Sequence, residues 1–213
     1  LKPKPEDWRN VRFSDEVHCR VGPQGRLRIT RKPGERYCGD CIQEQLNRDD
    51  ERDWETCHIW GAVGYNFKSD LTFYNTPGNK NGKLFLKVYH DQILEPVVKP
   101  WLQQHPHFIL EEDNDSGHEG GSTRNIVANW KRDNHLDHFF NCPNSPDLAP
   151  IENCWQVMKQ HLKKFPHWNE GEVRELAHEG WNKVSHDFIN ERIDSLPQRL
   201  QDCIDMEGRM TGY

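Results

Sequence analysis

The chain has 213 residues, enough for one sizeable domain or two small ones, and is 34% hydrophobic and 29% charged. No run approaches the roughly 18 apolar residues of a membrane span, so no membrane partner is expected. The formal net charge of -6 argues against a protein that mainly coats nucleic acid without sequence preference. DNA contact would have to be local, metal-assisted, or supplied by a segment outside this chain.

Val11 to Asp15 reads as a strand, with Val11 and Phe13 on one face. Leu27 and Ile29 alternate in a second strand over Arg26 to Thr30, and a turn follows at Lys32 to Glu35. The charged run 47–55 reads as a solvated loop. Cys57 to Tyr65 forms a third strand, which Leu71 to Tyr74 can pair with. Lys83 to Leu94 reads as a helix interrupted or ended by Pro96 and Pro100. Phe108 to Leu110 is a short buried strand that delivers Asp113 at its C-terminal edge.

Ser122 or Thr123 can cap a helix through Ile126, Val127 and Trp130. Leu136 to Phe140 reads as a strand. The helix after Pro150 is the clearest: Ile151, Cys154, Trp155, Met158 and Leu162 fall on one face, and Pro150 suits its first position. Two further helices are expected, Glu172 to Val184 and Asp187 to Ile204, the latter bent at Pro197. Three strands followed by alternating helices and strands imply an α/β fold, a mixed sheet with helices on both faces plus C-terminal helices.

Seven Cys are scattered without the pattern of a secreted scaffold. Cys38-Gly39-Asp40-Cys41 is a CxxC, and Cys57-His58 follows. Adjacent residues on a strand point to opposite faces, so ordinary thiols fit better here than a zinc site.

Three short acidic stretches carry the chemistry: Phe13 to Glu16, Glu112 to Asp115, and Ser145 to Asn153. Each sets a carboxylate at a strand end or in the first turn of a helix. Converging acids without basic partners in their own segments are what divalent-metal phosphoryl transfer requires. Along the strand before Asp113, alternation puts Glu111 on the same side as Asp113 and turns Glu112 away. Asp147, in the turn before the helix, reads as loop-shaping, and Glu16 as a local or solvated acid. Trp60 and Trp155 read as core.

These motifs resemble the catalytic domain of mariner-type and pogo-like eukaryotic DNA transposases, including fungal ones. The resemblance runs through Trp8-Arg9-Asn10-Val11-Arg12-Phe13-Ser14-Asp15-Glu16, Ile59-Trp60-Gly61-Ala62-Val63 and Phe108-Ile109-Leu110 leading to Asp113-Asn114 and His118. Its most specific block is Ser145-Pro146-Asp147-Leu148-Ala149-Pro150-Ile151-Glu152-Asn153-Cys154-Trp155, and the tail from Trp181 through Leu196-Pro197-Gln198-Arg199-Leu200 also matches.

The resemblance implies an RNase H-like five-stranded mixed sheet and one catalytic domain over 1–213. A DNA-binding region would lie N-terminal to this chain, which starts without Met. It implies a nuclear cut-and-paste enzyme whose Asp15, Asp113 and Glu152 bind two Mg²⁺ or Mn²⁺ ions. The partners implied are transposon ends, target DNA and a second copy of the chain. Asn114 and His118 would support the acids. Arg31, Lys32, Lys131, Arg132, Lys159 and Lys163 are the basic residues available for DNA phosphates. The alternative is a domesticated relative that keeps the fold as a DNA-binding or assembly module.

Overall fold

The computed structural model describes residues 4–22, 56–77, 84–114, 117–118, 125–142 and 145–208. The expected strand at 26–30, the turn at 32–35, the loop at 47–55 and the CxxC lie outside them, as do Arg31, Lys32, Ser122 and Thr123.

Six strands form one sheet: β1 (Val11–Arg20), β2 (Thr56–Gly64), β3 (Phe67–Lys68), β4 (Thr72–Tyr74), β5 (Ile109–Glu112) and β6 (Asp137–Phe140). The spatial order is β3-β2-β1-β5-β6, with β4 also paired to β2. Among the described residues the sheet thus has six strands where the resemblance implied five, because two short strands share one edge. β3 pairs with Val63 and Gly64, and β4 with His58, Ile59 and Trp60, along the same strand. β1 runs antiparallel to β2 and parallel to β5, and β6 is parallel to β5, so the sheet is mixed. β1 continues to Arg20, five residues past the sequence expectation, because its outer half pairs with β2 as far as Arg20↔Thr56.

Alternation along the strands divides the core in two. Val11, Phe13, Val17, Cys57, Ile59 and Val63 pack beneath Ile151, Trp155 and Met158 of helix α4 (Pro150–Leu162) and beneath residues of α5 (Glu170–Asn182) and α6 (His186–Asp194). Trp60, Ala62, Tyr74 and Leu110 face the other way. They pack on α1 (Leu86–Tyr89), the π-helical segment His90–Val98, and α3 (Ile126–Asp133). Helices therefore cover both faces, as the strand and helix order implied.

Two helix expectations need correction. Pro96 does not end the first helix: it lies inside the π-helical segment, and the chain stays helical through α2 (Lys99–Gln104), with Pro100 in the first turn of α2. A π turn reaches one residue further for its acceptor, as Lys99 N–H does to Leu94 O, so the helix passes a residue that has no N–H to give. The C-terminal helix is not bent at Pro197. It is two helices, α6 and α7 (Leu196–Asp205), and Pro197 sits in the first turn of α7, where its missing N–H costs nothing. The cap of α3 is Asn125, whose side chain accepts from Ala128 N–H.

Candidate active site

The parallel pairing of β1 with β5 brings the ends of these strands together, and α4 begins beside them. Asp15, Asp113 and Glu152 line one cavity of about 390 Å³, together with Ser14, Glu111, Asn114 and Asn141. Among the described residues no Lys, Arg or His lines it. Uncompensated negative charge shows in the acidities. Burial first, then Glu16 and Glu152, raise the Asp15 pKa well above the usual carboxylate value. Glu111 is raised by burial and then by Asp15. Strand alternation had placed Glu111 with Asp113, and it does line the cavity. Glu112 turns to the opposite face, as expected.

Three contacts fix the site. Trp155 Nε1 donates to Asp15 Oδ2 at 3.1 Å while the indole stays fully buried. Room for that ring comes from Gly61, the residue opposite Asp15 on β2: a Cβ there would lie 2.8 Å from Trp155 Cη2. Ser14 Oγ donates to the Glu111 carbonyl at 2.8 Å, tying β1 to β5 at the cavity. The third contact comes from α7. The buried Arg199 donates from Nη1 to the Asp147 carbonyl at 2.8 Å, and from Nη1 and Nη2 to Asn153 Oδ1 at 3.1 Å each. The turn carrying Asp147 and the first turn of α4, where Glu152 sits, are thereby held from the far end of the chain. Asp147 is buried in a short 3-10 turn, consistent with a loop-shaping part.

Behind Asp113 lies a buried polar cluster. His118 Nδ1 is 2.6 Å from Asp113 Oδ1, and His118 Nε2 is 3.1 Å from Glu16 Oε1. The His118 side chain is 2% exposed and that of Asp113 is 53% exposed, so the imidazole is the fixed end of the pair. Burial alone would lower the His118 pKa, but Glu16 and the bonds to both acids overcome it and raise it well above normal. These three side chains also have the spacing of a cation site. In this geometry His118 bridges the two carboxylates, tying Asp113 to Glu16. Glu16, read from the sequence as a locally hydrogen-bonding or solvated acid, is hydrogen-bonded and mostly buried, but its partner comes from a distant segment.

Beneath His118, Lys131 Nζ bonds Glu112 Oε2 at 2.5 Å and the His118 carbonyl at 3.1 Å, and the Tyr89 hydroxyl donates to Glu112 Oε1. Lys131 is 1% exposed. The sequence offered it for DNA phosphates, but α3 turns it into the interior, where it is not available to them. Arg132, Lys159 and Lys163 are exposed. Trp155 and Arg199 are site residues that sequence reading missed, because a core-type pattern hides a polar N–H and a tail Arg gives no hint of its partner.

The family model described as DDE superfamily endonuclease matches residues 10–173. The Tcb2 transposase of Caenorhabditis briggsae is 25% identical over 211 residues, 98% of this chain and 72% of that protein. The Mos1 mariner transposase catalytic domain superposes with a TM-score of 0.67 at 16% identity, covering 96% of this chain and 85% of that one. The Mos1 mariner paired end complex with Mn gives 0.68 at 17% identity, covering 95% of this chain but only 56% of the Mos1 chain. At such identities the structures establish the fold, an RNase H-like mixed sheet, while the family match covers most of the sequence. The chain belongs to the DDE superfamily endonucleases, as a catalytic domain of the transposase type.

Proposed function

We propose that this domain catalyses cut-and-paste DNA transposition, with Asp15, Asp113 and Glu152 as the acids that hold the catalytic metal. The observation that carries this reading is their meeting in one cavity that, among the described residues, no basic side chain lines. The donors are hard carboxylate oxygens, which suit Mg²⁺ or Mn²⁺, and the raised pKa values of Asp15 and Glu111 mark a site where burial and neighbouring acids penalise negative charge. With two such ions bound there, the chemistry supplied is activation of the attacking oxygen and stabilisation of the leaving one.

The protein's own residues do the positioning. Trp155 orients Asp15, His118 anchors Asp113, and Arg199 steadies the turn that presents Glu152. Glu111 adds a fourth carboxylate. The nucleophile is water during cleavage, breaking a P–O3′ bond to free a 3′ hydroxyl and leave a 5′ phosphate; during joining that hydroxyl attacks a target phosphodiester, whose P–O3′ bond breaks and whose 3′ oxygen leaves as a hydroxyl. No side-chain nucleophile is required.

Transposon ends and target DNA are the partners under this reading, with two copies of the chain acting together, as the paired end complex of the Mos1 neighbour suggests. Such work belongs in the nucleus. Residues 1–213 act as one catalytic unit, with end recognition supplied by a region preceding them. Arg132, Lys159 and Lys163 are exposed and available to phosphates; Asn114 lines the cavity beside Asp113. Retention of all three acids counts against a domesticated module that only binds. The test is Mg²⁺- or Mn²⁺-dependent nicking of DNA carrying the element's own ends. Asp113→Ala, a change at a half-exposed side chain, should abolish it; nicking that survives this change contradicts the reading.

A further inference from the structure

A second cavity, of about 420 Å³, opens at the other end of the sheet, where β1 and β5 begin. It is lined by the start of β1 from Arg9, by the β2–β3 turn, and by the loop from Gln104 to Phe108. Arg9, Arg12, His105 and His107 line it, and among the described residues no Asp or Glu does. In a chain of net charge -6 that is an unusual concentration of cationic and N–H-bearing groups.

Arg12 is the central feature. Only 7% of it is exposed, and its Nη1 has no hydrogen-bond acceptor among the described residues. Burial lowers its pKa to about 10. The guanidinium is stacked against Phe67 and Phe108, each centroid 3.9 Å from Cζ, with Trp101 at 5.1 Å. Such stacking satisfies the faces of the guanidinium. The N–H groups lie in its plane, point elsewhere, and match an oxyanion. A buried cation without an anionic partner is costly, and an incoming anion would offset that cost. At the rim, Arg9 lies 4.6 Å above the Tyr65 ring. Gly64 keeps the wall thin: a Cβ there would come within 2.9 Å of the Val11 carbonyl and 3.5 Å of Arg12 Cγ.

We infer that this cavity is a phosphate-binding site, separate from the carboxylate-lined one, with Arg12 as its buried anchor and Arg9 at its mouth. Its ligand is a phosphate, carried either by a DNA backbone or by a free phosphate species. Because the four residues of β5 separate Phe108 from Asp113, the two sites lie roughly 15 Å apart along the sheet. The inference does not depend on the catalytic assignment.

The test uses a fluorescein-labelled 12-base-pair duplex, followed by anisotropy in EDTA so that no divalent metal assists the carboxylate site. Inorganic phosphate serves as competitor at constant ionic strength. Arg12→Met should weaken duplex binding by roughly 10-fold or more, without lowering the melting temperature, since it removes an unpaired buried charge. Exposed Arg9→Ala should weaken it less and reduce the slope of log K against log salt by about 1. Asp113→Ala should leave this dependence on Arg12 in place, which separates failure here from failure of the catalytic reading. Arg12-dependent duplex binding with competition by phosphate assigns the DNA backbone as ligand. Arg12-dependent binding of phosphate alone assigns a free phosphate. The inference is overturned if wild type and both variants bind each probe equally, or if neither probe binds wild type. Should Arg12→Met not fold, an Arg9→Ala protein with unchanged affinity and salt slope overturns it as well.

Discussion

Trp155 donates its indole N–H to Asp15 across 140 residues of sequence, so the ring that fills the core beneath α4 also aims an acid of the cavity. Asp15 is held there although burial and neighbouring acids penalise its charge. Asp15→Asn removes that charge and keeps an acceptor for the indole. The metal-free domain should therefore melt higher, by about 2–4 °C for each kcal/mol gained. Mg²⁺ should no longer shift the melting temperature, and nicking should be lost. A lower metal-free melting temperature for Asp15→Asn in differential scanning calorimetry would show that the carboxylate is structurally favourable instead.

His118 joins Asp113 to Glu16 from a buried position. Groups that orient metal-binding acids typically matter by about 10–100-fold. His118→Ala should reduce nicking by about that factor and raise the Mn²⁺ concentration needed for half-maximal rate. His118→Gln, which can bond one acid but not both, should fall between. Unchanged Mn²⁺ dependence in His118→Ala would leave the histidine with only a packing part.

Lys131 and Glu112 form a pair almost wholly removed from water. Removing one partner strands the other, at a cost of about 3–5 kcal/mol. Lys131→Met should therefore lower urea stability strongly, and the double change with Glu112→Gln should recover most of it. A Lys131→Met protein as stable as wild type contradicts the pairing. DNA affinity in the single variant should change only as far as folding does.

Buried thiols set an alkaline limit. Burial raises Cys154 to about 12 and Cys19 to about 11, against an ordinary value of 9.0. Above pH 9 the unfolded chain releases these protons while the folded one keeps them, so stability falls as pH rises. The slope is at most about 1.4 kcal/mol per pH unit for each thiol. It should be present between pH 9 and 11 and absent between 7 and 8. Cys154→Ala, though less stable overall, should show a shallower alkaline slope in urea titrations.

Much of this was legible in the sequence because it follows from local periodicity. Val11 and Phe13 alternate, so β1 and its inward face could be placed; Ile151, Cys154, Trp155 and Met158 repeat at helical spacing, so α4 and Glu152 in its first turn could be placed. Alternation also separated Glu111 from Glu112. What could not be read depends on distant partners. A π-helical segment that passes Pro96 leaves no mark in the apolar spacing. Lys131 looked like surface because nothing local shows that Glu112 waits beneath it. The Arg199 contacts to Asp147 and Asn153, 52 and 46 residues away, exist only once α7 has folded back.

The most direct measurement is anomalous diffraction from crystals of the protein bound to its end DNA and soaked in Mn²⁺. The account predicts manganese peaks within bonding reach of the Asp15, Asp113 and Glu152 carboxylates. Manganese seated instead between Glu16, Asp113 and His118, or nowhere in the cavity of a DNA-loaded complex, would contradict it.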